Sequence, residues 1–147
     1  MNKVDLIELM RTSLPPDWNL WRIEHPEVVL DLSGVDLSGT RLGEFDLANA
    51  KLEGANLAGA DLFQANLSGA HLAGANLSGA NLTEADLRDA DLSNVCLRDV
   101  DLRSANLVRA NLTGADLRGA DFAGSHLSEA RITLEQFQKA RSLQDSL

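Results

Sequence analysis

Residues 50–79 read AKLEGANLAGADLFQANLSGAHLAGANLSG, with a leucine at every fifth place: Leu52, Leu57, Leu62, Leu67, Leu72 and Leu77. Outward from this stretch the register holds from Leu32 to Leu117 and continues through Phe122, Leu127 and Ile132 without a slip. Two positions before each large residue stands mostly Ala (Ala50 through Ala90, Ala105 through Ala120), with Val35, Val95 and Val100 as variants. The unit is A-(D/N)-L-x-x. A five-residue step turns an α-helix by roughly 500°, so successive leucines would point to every side. On a straight strand five is odd, so half of them would face water. A chain that bends once per unit and stacks coil on coil brings all of them inward, and the periodicity therefore predicts an all-β fold, a parallel β-helix.

The turn chemistry agrees with a bend in each unit. Ten of the eleven glycines, from Gly34 to Gly124, stand two residues after the repeat's Leu or Phe. A corner requiring positive φ selects Gly there and tolerates Asn or Asp next best, and Asn49, Asp89, Asn94 and Asp99 occupy the same slot. A buried Leu contributes roughly 1.5–3 kcal/mol against about 1–2 kcal/mol of backbone entropy per ordered residue, so one unit cannot fold alone and stacking must supply the rest.

The 147 residues allow one domain. Aromatics are only 4% of the chain and Tyr is absent, so the core must be assembled from small uniform pieces. A formal net charge of -9 argues against direct nucleic-acid binding, which draws on clustered Lys and Arg. Cys96 is the single cysteine, which excludes an intrachain disulfide and a cysteine metal cluster. The N-terminal stretch carries Asp5 and Glu8 among its apolar residues, unlike a signal peptide, and no run approaches the roughly 20 apolar residues of a membrane span. The expectation is a cytoplasmic chain without membrane association.

Both flanks read as caps for an open coil end. Leu6, Ile7, Leu9 and Met10 predict a short amphipathic helix with Asn2 as N-cap, broken at Pro15-Pro16. Trp18, Leu20, Trp21 and Ile23 then offer apolar area before the first coil. At the other end Thr133 and Gln136 form a capping box that opens a helix predicted to reach Ala140 or Arg141, with Phe137 plugging the last layer and a frayed tail over 142–147.

The tandem units, such as Ala55-Asn56-Leu57-Ala58-Gly59 and Ala115-Asp116-Leu117-Arg118-Gly119, resemble the pentapeptide-repeat family over residues 30 to 134. The segment WNLWRIEHPE followed by DLSGVDL is similar to the lead-in of some bacterial members. The resemblance implies a right-handed quadrilateral β-helix, a solenoid with four units per coil, flanked by short helical caps over 1–29 and 135–147. It would place Leu32, Leu52, Leu72, Leu92, Leu112 and Ile132 in one internal stack. Some members dimerise through a terminal cap, so the resemblance also raises a homodimer.

Chemistry is sparse. His25, His71 and His126 are scattered without metal-ligand spacing, and the aspartates before each Leu are explained by side-chain bonds to nearby backbone, so no catalytic, cofactor or metal residues are assigned. A filled rod offers no desolvated pocket, which argues against an enzyme. From Glu84 to Arg109 the corner slot holds no Gly and charges crowd in. The candidate partner surface is Arg88, Asp89, Arg98, Asp99, Asp101, Arg103, Arg109 and Arg118. With twenty residues per coil Arg98 would lie under Arg118 and Asp101 under Asp121, an arrangement tolerable only if opposite charges interleave into a self-neutralising lattice. The chain is thus read as a rigid scaffold presenting flat faces to a protein partner. The alternatives are an acidic DNA mimic acting on DNA gyrase, as the resemblance suggests for some members, and a structural spacer.

Overall fold

The structure is a computed structural model, and it describes residues 1–141. Three helices occur in it: α1 (Lys3–Thr12), α2 (Pro15–Glu24) and α3 (Leu134–Gln138). Between α2 and α3 the chain winds in turns of twenty residues. Isolated parallel bridges join Asp31 to Lys51, Lys51 to His71, His71 to Asp91, Asp91 to Asn111 and Asn111 to Arg131, and three further columns run through Asp36, Arg41 and Asp46 at the same spacing.

Each bridge rests on a fixed set of backbone bonds. The Leu32 N–H donates to the Lys51 carbonyl at 2.8 Å, and the Lys51 N–H returns to the Leu30 carbonyl at 2.8 Å. The Val35 N–H then closes a tight turn onto the Leu32 carbonyl at 3.2 Å. The third residue of that turn has positive φ, 68° at Gly34, which a type II turn requires. The slot is left-handed in every unit, including those where it holds Glu44, Gln64, Glu84, Ser104, Arg109 or Glu129. Stacking of twenty-residue turns forces the conformation whatever the residue, at a strain of order 1–3 kcal/mol for a non-Gly residue.

This geometry corrects the expected fold class. An all-β, right-handed quadrilateral parallel β-helix, or β-solenoid, needs strands with continuous ladders. Among the described residues no strand with a continuous ladder forms, only isolated bridges and short helices. The physical reason is the corner itself: a left-handed residue every five positions turns the chain before a second bridging pair can follow the first, so each side carries a single bridge.

The interior is filled as the period predicts. Leu32 through Leu117 and Phe122 are buried, as are the alanines two places before them (Ala50 through Ala90 and Ala105 through Ala120), and Leu127 and Ile132 in the last turn are half-buried. Leu32, Leu52, Leu72, Leu92 and Leu112 stand one turn apart, and Ile132 finishes the column partly open.

The ends are closed by side chains. Asn2 caps α1 by accepting from the Asp5 N–H, and Pro15 and Pro16 open α2, where a missing N–H costs nothing. Trp18 is fully buried, its ring stacked between Trp21 at 5.4 Å and Phe45 at 5.5 Å, while Leu20 and Ile23 stay exposed. Its indole N–H donates to the Asp46 carbonyl at 2.9 Å, Asn19 bonds the Glu44 carbonyl and the Asp46 N–H, and Arg22 reaches the Ala48 carbonyl. These bonds seal residues 44–48 of the first turn. Residues 36–43 of that turn receive no such cover. At the C-terminal end the capping box on Thr133 and Gln136 forms. The helix stops at Gln138, short of the expected Ala140 or Arg141, because the Arg141 N–H is drawn back to the Ala120 carbonyl at 2.7 Å, resuming the twenty-residue register. The expected frayed tail lies outside the described residues.

Candidate interaction surface

Each pentad sends its Asp or Asn and the two corner residues outward. The bridge-slot side chain folds back on its own turn: Asp36 Oδ1 accepts from the Ser38 N–H at 3.0 Å, and Asn76, Asp91, Asn111 and Asp121 repeat the bond two residues on. The regular carboxylates are therefore backbone acceptors, as their spacing suggested.

The register distributes the eight candidate residues over three columns of the surface. Arg88, Asp89 and Arg109 flank the Asp46–Asn66–Asp86–Asn106 column; Arg98, Asp99 and Arg118 flank Asn76–Cys96–Asp116; Asp101 and Arg103 belong to Asn81–Asp101–Asp121. A charged stretch longer than the twenty-residue turn wraps the stack, and the eight residues do not share one face.

Within the columns the charges pair. Arg88 grips Asp86, Arg103 grips Asp101 and Arg118 grips Asp116, each with a closest contact of 2.6 Å, and Arg109 reaches one turn back to Asp89 at 2.7 Å. In the first three pairs one guanidinium donates through both Nε and Nη2 to the carboxylate two residues earlier, the planar fork that favours Arg over Lys. The bond from Arg118 holds the Asp116 carboxyl well below the usual range, at about 2. Arg103 likewise lowers Asp101, and Arg109 lowers Asp89. Carboxylates locked as anions are poor proton donors near neutral pH. Exposed pairs of this kind contribute little to stability, so their main effect is to fix side-chain direction.

Asp86 and Asp116, partners of two candidate arginines, were absent from the sequence-based set. The signal was present as the triplet Asp-Leu-Arg at 86–88, 101–103 and 116–118. Arg98 has Cys96 where the other three have Asp, and among the described residues it forms no ion pair within 4.0 Å. It lies one turn from Arg118, where its charge also lowers the Asp116 carboxyl. Asp101 and Asp121 meet at a bridge as expected, and Arg103 feels both. A cleft of about 510 Å³ opens beside this group, lined in part by Asp99, Asp101, Arg103, Asp121 and Arg141. Among the described residues no group of three or more His, Cys, Asp or Glu is arranged to hold a metal, and no helix is long and apolar enough to cross a membrane. His25 is stacked on Trp21 at 4.8 Å, and His71 and His126 sit in bridge slots.

A family model described as pentapeptide repeats matches residues 31–69, 65–103 and 96–133. Among solved structures the chain is similar to a pentapeptide-repeat protein, Rfr23, of the cyanobacterium Cyanothece 51142, with 30% identity, a TM-score of 0.67 and coverage of 88% of this chain and 96% of the other. It is also similar to a pentapeptide-repeat protein of the Arabidopsis thaliana thylakoid lumen, at 33% identity and a TM-score of 0.60, covering 72% and 74%. The plasmid-mediated fluoroquinolone resistance protein QnrB1 shares the fold at 24% identity and a TM-score of 0.50, covering 75% and 64%. No curated protein matches the chain.

Proposed function

Because the chain belongs to the pentapeptide-repeat family, whose members are non-catalytic, we propose that it is an interaction scaffold whose outward columns dock a protein partner. It is not an enzyme. The observation that carries the proposal is the anchoring of the outward side chains. Asp and Asn are tied to their own turns, and Arg88, Arg103 and Arg118 are tied to those aspartates. A surface ordered before contact loses little conformational entropy on docking, so modest contacts can give useful affinity. Arg98, exposed and without a carboxylate of its own, is the cation on this surface readiest to meet an acidic group.

A DNA mimic would need rows of free carboxylates standing in for phosphates. Here Asp86, Asp101 and Asp116 are already matched by guanidinium groups, which disfavours such a mimic. The expected outcome of a supercoiling assay with gyrase is no effect at stoichiometric excess.

The test is affinity capture from host lysate with the native chain and with a variant carrying Arg98→Glu and Arg103→Glu. The proposal expects a protein retained by the native chain and lost from the variant. Identical captured sets, or none from the native chain, would leave the spacer as the better account.

A further inference from the structure

The lower edge of the first turn is closed on one side and open on the other. Over residues 44–48, Trp18, Asn19 and Arg22 bond the Asp46 N–H and the Asp46 and Ala48 carbonyls, the groups that a preceding turn would have met. Over residues 36–43 nothing does so. In the next turn Asn56 and Asp61 donate their N–H groups to the Val35 and Thr40 carbonyls, and Asn56, Ala58, Asp61 and Phe63 accept from Leu37, Gly39, Leu42 and Glu44. The equivalent groups of the first turn have no protein partner among the described residues: the N–H groups of Asp36 and Arg41, and the carbonyls of Asp36, Ser38, Arg41 and Gly43. Asp36, Ser38 and Arg41 are exposed, whereas Asp46 and Ala48 on the covered side are half-buried.

Beside this open edge lies a cleft of about 290 Å³ between the end of α1 and the first turn. Met10, Leu37 and Leu42 form its apolar back, Thr40 its wall, and Arg11 and Arg41 its rim. Neither arginine forms an ion pair within 4.0 Å among the described residues. The Ser38 hydroxyl and N–H lower the Asp36 carboxyl, with the Arg11 charge a lesser contributor, and Asp36 also accepts from the Asn56 amide. Asp61, next to Arg41 across a bridge, is engaged by the Phe63 N–H and the Asn81 amide. In a chain of net charge -9 this is a cationic rim over an unfilled backbone edge.

We propose that the 36–43 edge and its cleft bind an extended acidic segment of a partner protein, which adds itself to the first turn by backbone pairing. Unpaired N–H and C=O groups along an edge are the template for strand addition, where main-chain bonds give affinity and pockets for alternate side chains give specificity. An extended segment points successive side chains to opposite sides, so an apolar residue enters the cleft while its neighbours reach Arg11 and Arg41. Arg41 supplies one donor and, with Gly43, two acceptors on the side of the turn next to the cleft, and Asp36 and Ser38 form a separate short edge beyond the corner at Gly39. The inference rests on the reading as a binding module and names a different part of the molecule from the arginine-aspartate columns.

The experiment is a titration of the ¹⁵N-labelled full chain with the probe peptide acetyl-(Asp-Leu)₃-amide, followed by amide shifts. Saturable shifts centred on residues 36–43 are expected, and an analogue N-methylated at alternate residues should bind at least tenfold more weakly. The double variant Arg11→Glu, Arg41→Glu changes only exposed side chains and should weaken the peptide at least tenfold with an unchanged melting temperature. Equal binding of the N-methylated peptide, or no saturable shift, would overturn the proposal. Shifts confined to residues 86–118 would remove the edge and leave the scaffold reading standing. Broadening of the same edge amides on raising protein concentration without peptide would mean that a second copy occupies it, and would equally overturn the assignment.

Discussion

The middle of the stack and its two ends solve one problem by different means. In the middle, every turn's backbone meets an identical turn above and below: Leu72 donates to the Asp91 carbonyl at 2.8 Å and His71 to the Ala50 carbonyl at 2.9 Å. At the ends there is no next turn, and side chains act in its place. Residue 136, one turn above the Asp116 slot, sits in α3 and cannot repeat the backbone bond that Asp116 makes to Val95. Its amide Nε2 donates to the Ala115 carbonyl at 3.0 Å and to the Leu112 carbonyl at 2.8 Å instead. At the N-terminal end Trp18, Asn19 and Arg22 do the same over residues 44–48 of the first turn. Repetition closes the middle uniformly, whereas closure at an end is only as complete as the reach of the capping side chains.

That difference orders the expected effects of substitution. Leu72→Asp places a carboxylate in a fully buried column with no partner and should remove more than ~5 kcal/mol, comparable to the whole stability of a small domain. A melting curve that does not move would break the view that the middle is a closed core. Trp18→Ala removes the ring stacked on Phe45 and the bond to Asp46 and should cost about 3–5 kcal/mol. Hydrogen exchange should then quicken over residues 31–50 ahead of residues 71–110, and uniform quickening would count against end-specific closure. Gln136→Ala leaves the Ala115 carbonyl without its donor and should cost about 1–3 kcal/mol, read as a lowered urea midpoint.

The smallest effect is acid sensitivity. The folded-state carboxyl of Asp116 is depressed to about 2 from 3.8, so it contributes stability above 3.8 that is lost as pH falls toward 2. Asp86, Asp89 and Asp101 are lowered in the same direction. Arg118→Ala should flatten this acid limb slightly in a pH series of thermal melts and leave stability at pH 7 nearly unchanged, because the pair is exposed.

Much of this architecture was legible in the repeat. The five-residue spacing identified the buried leucines, and the glycines, with Asn49, Asp89, Asn94 and Asp99, marked the left-handed corners. The same corner slots at Glu44, Gln64 and Arg109 were not legible, since residue type alone argues against positive φ and only their place in the stack imposes it. The strand expectation failed for a related reason: inward stacking implies pairing between turns, but a corner every five residues leaves room for one bridge per side and none for a ladder. On the surface, a twenty-residue turn spreads Arg88, Arg98 and Arg103 over different columns, and the stacking of Asp101 on Asp121 follows from the same count. The open edge at 36–43 depends on where α2 comes to rest over the first turn, which local patterning does not encode.

The twenty-residue register underlies the pairing of charges, the closure of the ends and the open edge alike. It is tested most directly by a ¹⁵N-edited NOESY spectrum of the full chain. The structure predicts cross-peaks between residues one turn apart, such as Leu57 with Asn76 and Asn76 with Cys96, repeated at the same spacing through the stack. A spectrum over residues 50–110 dominated by contacts three and four residues apart, with none at this longer spacing, would contradict it.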